Sequence, residues 1–111
     1  MNDTKVFAMA GDGDWTDLGA GARRRVILTT DELMQVEFAF DEGAVGALHS
    51  HPHVQASYVA EGTFEVTIDG RTETIGPGGS YIVPSGLVHG VKALTPGRLI
   101  DTFTPPRQDF L

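Results

Sequence analysis

The stretch Gly43-Ala44-Val45-Gly46-Ala47-Leu48-His49-Ser50-His51-Pro52-His53-Val54-Gln55-Ala56-Ser57-Tyr58-Val59-Ala60-Glu61-Gly62 decides how this chain reads. It holds three of the four histidines, with Gln55 four residues past His51. On an extended strand, side chains at i and i+2 project from one face, so His49 and His51 can grip a single metal ion. Glycines bracket the cluster in the pattern Gly43-x5-His49-x-His51-x3-Gln55-x6-Gly62, and a second block, Gly78-x5-Pro84-x-Gly86-x2-His89, supplies the remaining histidine. A lone His-x-His pair is more often a surface accident than a ligand set. The glycine frame and His89 reverse that. His53 follows Pro52, whose turn breaks strand parity and could point it inward toward substrate or out to solvent, and a structural, supporting role is favoured.

Composition narrows the chemistry. A chain of 111 residues suits one domain with one core. With 41% hydrophobic and 21% charged residues it reads as a soluble globular protein without a membrane span. Residues 1–15 carry one lysine, no long apolar run and an Asp-Gly-Asp interruption, so no signal peptide is expected and the cytoplasm is the default address. The chain has no cysteine, so a metal would have to use imidazole, amide or carboxylate donors. A net charge of -7 repels polyanions and argues against nucleic acid as a partner. An anionic substrate would need a local positive site.

Fourteen glycines and six prolines punctuate short segments of alternating polarity, the pattern of half-buried strands. Met34, Val36, Phe38 and Phe40 share one face, with Gln35 and Glu37 on the other. Phe64, Val66 and Ile68 repeat the pattern, and Asp69-Gly70 predicts a tight hairpin returning through residues 71–75. Further strands are expected over residues 23–30, 57–60, 80–83, 86–92 and 98–104. No convincing helix competes, and residues 12–22 read as an entry loop with Trp15 packed against the barrel. The fold expected is all-β, a closed barrel or jelly roll. Tyr58, Tyr81 and Met34 have inward parity, and the run Arg23-Arg24-Arg25 reads as a solvated strand edge.

The two glycine-framed blocks resemble the paired signature of the cupin superfamily, small jelly-roll (double-stranded β-helix) barrels with a metal inside. The resemblance implies a single cupin domain over residues 1–111, with an N-terminal arm and loop (1–22), a barrel (23–104) and a tail (105–111). Two positions depart from the usual pattern: Gln55 stands where glutamate is expected, and Ala93 where asparagine often closes the second block. Three neutral imidazoles and a neutral amide leave the charge of a divalent ion uncompensated, which favours Lewis-acid chemistry and anion capture.

A closer resemblance, to the small pectin-degradation cupins of the KdgF type, rests on Gly43-Ala44-Val45-Gly46, on Leu48 through His53, and on the ending from Asp101 to Leu111. It implies a divalent transition metal (Zn, Ni, Mn, Fe or Co) held by His49, His51, Gln55 and His89. It also implies a site completed by Asp101, Phe103 and Arg107, a homodimer, and conversion of 4,5-unsaturated uronates from pectin or alginate to linear ketones. Leu99, Asp101 and Phe103 share a face on the expected strand. Arg107 follows Pro105-Pro106 and suits a bidentate grip on a sugar-acid carboxylate. Asp101 could instead pair with an arginine of the 23–25 run, Arg107 could be a solvated tail residue, and Phe103 could be core filling. A metal-dependent dioxygenase and a non-catalytic sugar-acid or metal binding module stay open as alternatives.

Overall fold

A computed structural model describes residues 5–111. The first four, part of the stretch read for a signal peptide, lie outside the described residues. Ten strands follow in order: β1 (Thr16–Gly19), β2 (Ala22–Thr29), β3 (Met34–Phe40), β4 (Val45–His49), β5 (Val54–Glu61), β6 (Phe64–Ile68), β7 (Arg71–Ile75), β8 (Ser80–Val83), β9 (His89–Ala93) and β10 (Gly97–Thr104). A 3-10 turn, Gln108–Phe110, closes the tail. No helix among the described residues is long and apolar enough to cross a membrane.

The strands form two antiparallel sheets, ordered β1-β2-β3-β10-β5-β8 and β4-β9-β6-β7. They pack face to face as a jelly roll. Phe40, Val59 and Leu99 from the first sheet meet Phe64, Val66 and Ala93 from the second in one buried cluster, with Phe40 and Phe64 edge to face at 5.5 Å. A second cluster, Met34, Val36 and Phe103, lies on the first sheet. Close approaches at Gly62 and Gly90 frame the site. Gly62, of the first sequence frame, has φ +78°, and a Cβ there would sit 2.4 Å from the Pro96 carbonyl oxygen. At Gly90, beside His89, a Cβ would meet the Gly46 carbonyl oxygen at 2.7 Å, so β4 and β9 lie as close as the backbone allows.

The 64–75 hairpin forms as expected, with positive φ at both Asp69 and Gly70, the signature of a two-residue type I′ turn. Other expectations need correction. Residues 12–22 are not all loop, because Thr16–Gly19 pairs with β2 across a turn at Ala20-Gly21. Trp15 stands over the guanidiniums of Arg23 and Arg25, at 4.7 and 5.3 Å. The arginine run is therefore anchored rather than a solvated edge. Glu37, on the face opposite Val36 and Phe38, is buried as well. Arg25 lies opposite it in the β2–β3 register and bonds it at 2.7 Å, and Arg98 of β10 holds its other oxygen. Burial alone would raise the Glu37 pKa, but the two guanidinium hydrogen bonds outweigh it and hold it below the ordinary value. Tyr58 points outward, because β5 begins at Val54 and its inward residues are Gln55, Ser57 and Val59.

Candidate metal centre and its cavity

His49 ends β4 and His89 opens β9, and the two are directly paired across those strands. His51 lies in the short connection to β5, past the end of β4. The rings of His49, His51 and His89 have centroids 4.4 to 5.5 Å apart, and one ring nitrogen from each falls within 4.8 Å of the others. Each Nδ1 is pinned to a backbone carbonyl two residues away: His49 to Ala47 (2.8 Å), His51 to His53 (3.1 Å) and His89 to Leu87 (3.0 Å). A carbonyl oxygen only accepts, so in the neutral ring each Nδ1 carries the proton and each Nε2 offers a lone pair. Burial, followed by the charge of Arg107, keeps His51 below its usual pKa. Burial does the same for His89. Both effects favour the neutral form that metal binding requires.

Gln55 completes the donor set by its own constraints. Its Nε2 donates to Ser57 Oγ (3.0 Å) and to Asp101 Oδ2 (3.2 Å), which turns Oε1 toward His51 Nε2 at 3.1 Å. With the His51 proton on Nδ1, two lone pairs face each other across that gap. His89 Nε2 is buried with no partner at all. Neutral imidazoles, an amide oxygen and an orphaned ring nitrogen are a donor set that fits a divalent transition ion. His53 contributes its carbonyl to orient His51, in line with a supporting role.

A cavity of about 200 Å³ brings His49, Gln55, His89, Asp101, Phe103 and Arg107 to one wall surface. That is below the roughly 300–1,000 Å³ typical of pockets for drug-sized ligands and suits a monosaccharide-sized molecule. Asp101 sits on β10 between inward-facing Leu99 and Phe103, too deep to meet Arg23, Arg24 or Arg25. Its Oδ1 is buried and unpartnered. Burial pushes its carboxyl up to about 7, against the opposing pull of the Ser57 hydroxyl and Arg107. Ser57 was not singled out from sequence and Tyr81 was read only as an inward-facing residue, yet Asp101, Ser57 and Tyr81 form one row across β10, β5 and β8. Burial, then the Asp101 carboxylate, pushes the Tyr81 hydroxyl pKa upward, keeping it a neutral donor. Period-two counting from Gln55 would have found Ser57. Arg107 is no solvated tail residue: its guanidinium lies over Phe110 at 4.4 Å and Phe103 at 5.4 Å.

A jelly roll enclosing such a cluster is the architecture of the cupins, and the chain belongs to that family: the Cupin domain model matches residues 36–103. Within it, the chain is similar to the Pectin degradation protein KdgF of Dickeya dadantii (strain 3937), at 44% identity over 99 residues, spanning 87% of this chain and 90% of that protein. The structure of KdgF from Halomonas sp. superposes with a TM-score of 0.92 at 39% identity, covering 97% of this chain and all of that one. L-ectoine synthase of Rhodococcus opacus (strain B4) is 30% identical, spanning 96% of this chain and 79% of that protein.

Proposed function

We propose that the protein is an isomerase-like enzyme converting 4,5-unsaturated uronate monosaccharides to linear ketones by enol-to-keto proton transfer. The observation that carries this reading is the unpartnered, buried Oδ1 of Asp101 in the same cavity as the imidazole cluster and Arg107. Similarity to a pectin degradation protein supports the substrate class.

In this reading His49, His51, Gln55 and His89 would hold a divalent transition metal, which supplies Lewis-acid stabilisation of charge on a substrate oxygen. Arg107 binds the sugar-acid carboxylate, and Phe103 and Phe110 wall the cavity against water. The ring-opened substrate is an enol at C5. Asp101, with a pKa near neutrality, takes the enol proton on Oδ1 and delivers it to C4, which leaves its carboxylate as it began and removes no electrons from the substrate. Ser57, through Gln55, and the raised Tyr81 hydroxyl fix the surroundings of Asp101 without competing for that proton. The protein acts on free monosaccharides in the cytoplasm, as a homodimer.

The test is to supply metal-loaded protein with lyase-generated unsaturated galacturonate, and separately unsaturated mannuronate or guluronate, with and without chelator, while following loss of the cyclic species. Turnover that chelator abolishes is expected, and Asp101→Asn should lose it while retaining bound metal. Full activity in Asp101→Asn sinks the assignment. Oxygen uptake with iron in place of tautomerisation would favour the dioxygenase reading, and saturable uronate binding without turnover the binding module.

A further inference from the structure

We propose that Asp109 is a positioning residue that sets Arg107 for the substrate carboxylate. The inference rests on reading Arg107 as the carboxylate grip. An arginine side chain carries roughly 2 kcal/mol of rotamer entropy, so outside a strand it does not hold one geometry unaided. Here the tail supplies the restraint. Asp109 Oδ1 accepts from Arg107 Nε at 3.0 Å and Oδ2 from Nη2 at 2.8 Å. The 3-10 turn brings the carboxylate to the edge of the guanidinium, closed by Phe110 N donating to the Arg107 carbonyl at 3.0 Å. Phe110, under Arg107, is itself fixed edge to face against Phe38 and Phe103, at 6.0 and 5.7 Å, and lies beneath Arg24 at 4.0 Å.

The edge used is what decides the role. A guanidinium has five N–H donors. Asp109 takes the Nε/Nη2 edge, which leaves the Nη1/Nη2 fork open for a second bidentate carboxylate. Arg107 lines the cavity and its side chain is 14% exposed; Asp109 does not line the cavity and its side chain is 60% exposed. The internal carboxylate therefore stands behind the guanidinium and does not occupy the place of the ligand. An ion pair this exposed contributes little to folding stability, so its effect is on orientation.

The sign of the effect separates this role from plain electrostatics. Asp109 carries a negative charge near a site for an anion, so removing it would tighten binding if charge alone mattered. Loss of positioning weakens binding instead. The experiment titrates galacturonate, a saturated uronate, into metal-loaded wild type, Asp109→Asn, Asp109→Glu and Arg107→Ala by calorimetry, with KM and kcat for unsaturated galacturonate measured in parallel. Asp109→Asn should weaken affinity and raise KM about tenfold, the scale of one charge-assisted hydrogen bond, with kcat within about twofold. Asp109→Glu should regain most of the loss, and the melting temperature of both variants should stay within about 2 °C of wild type. Unchanged or tighter binding by Asp109→Asn overturns the inference, and if Arg107→Ala is weakened in the same series the carboxylate grip survives that failure. Wild-type affinity in Arg107→Ala, or no galacturonate binding by wild type, overturns both.

Discussion

Gln55 sets the electrostatics of the site at the scale of one residue. Its amide can accept from one side and donate from the other, which lets it face His51 Nε2 with oxygen while donating to Asp101 Oδ2. A glutamate of the same length could do only the first. Its carboxylate would stand about where the amide nitrogen now sits, 3.2 Å from Asp101 Oδ2, and like charges at that range drive one group to hold its proton. Under the proposed function, Gln55→Glu is expected to bind divalent metal at least as tightly as wild type, by elemental analysis after dialysis, and to lose about a hundredfold in turnover because a protonated Asp101 would no longer accept the enol proton. A wild-type rate in a metal-replete variant would remove Asp101 from the chemistry. Three of the candidate ligands, His49, His51 and Gln55, were legible in sequence because their spacing is short-range and glycine-framed, and His89 only through the second glycine-framed block. The partners that orient them were less so. The Nδ1 contacts of His49, His51 and His89 are to carbonyls, which leave no mark in residue identity, and Asp109 acts through a turn that its own sequence does not announce.

At the scale of elements, β2, β3 and β10 are locked on their outer face by Glu37 between Arg25 and Arg98. Alternation along β3 correctly put Glu37 opposite Val36 and Phe38, but could not show that neighbouring strands cover that face with guanidiniums. Strand order is a long-range property: β10 sits between β3 and β5, some sixty residues from the first. For the same reason the Asp69-Gly70 hairpin was readable and β1 was not, since Asp-Gly states its turn locally while Thr16–Gly19 is a strand only because β2 pairs with it. Removing the Glu37 charge leaves Arg25, with a side chain only 11% exposed, without its partner. Glu37→Gln should lower the unfolding free energy by about 3 kcal/mol near neutral pH. Glu37 is held below its ordinary pKa, so the unfolded chain takes the proton first and the ion pairs lose their contribution as pH falls below about 4.3. The gap between variant and wild type in urea melts should therefore narrow from pH 7 to pH 3. A constant gap would mean that the lost stability comes from packing rather than charge.

At the scale of the whole molecule, a net charge of -7 opposes association of copies, and does so least where they meet through an uncharged face. Such a face lies on the outside of β3, β10, β5 and β8, where Gln35, Ala56, Tyr58, Ser80, Ile82, Ile100 and Thr102 border a depression without one ionisable acid or base from Asp, Glu, Lys, Arg or His. Tyr58 and Ile82 are 49% and 60% exposed there, and Val6, Phe7 and Met9 of the N-terminal arm are exposed by two thirds or more. In the proposed homodimer, a second copy would cover these apolar side chains on the arm and on the sheet face. The metal-site cavity opens between the sheets, on the inner side of the same strands, so assembly through the outer face leaves the substrate path clear. The homodimer of the proposed function then has a definite salt response. Since two acidic copies repel, raising ionic strength from low values should strengthen association, opposite to what a charge-paired interface would show. Light scattering coupled to size exclusion should find wild type as a dimer and Ile82→Asp as a monomer, with the variant still binding metal at His49, His51 and His89. A dimer that persists in Ile82→Asp, or that salt dissociates, would mean that the copies meet through a different and charged surface.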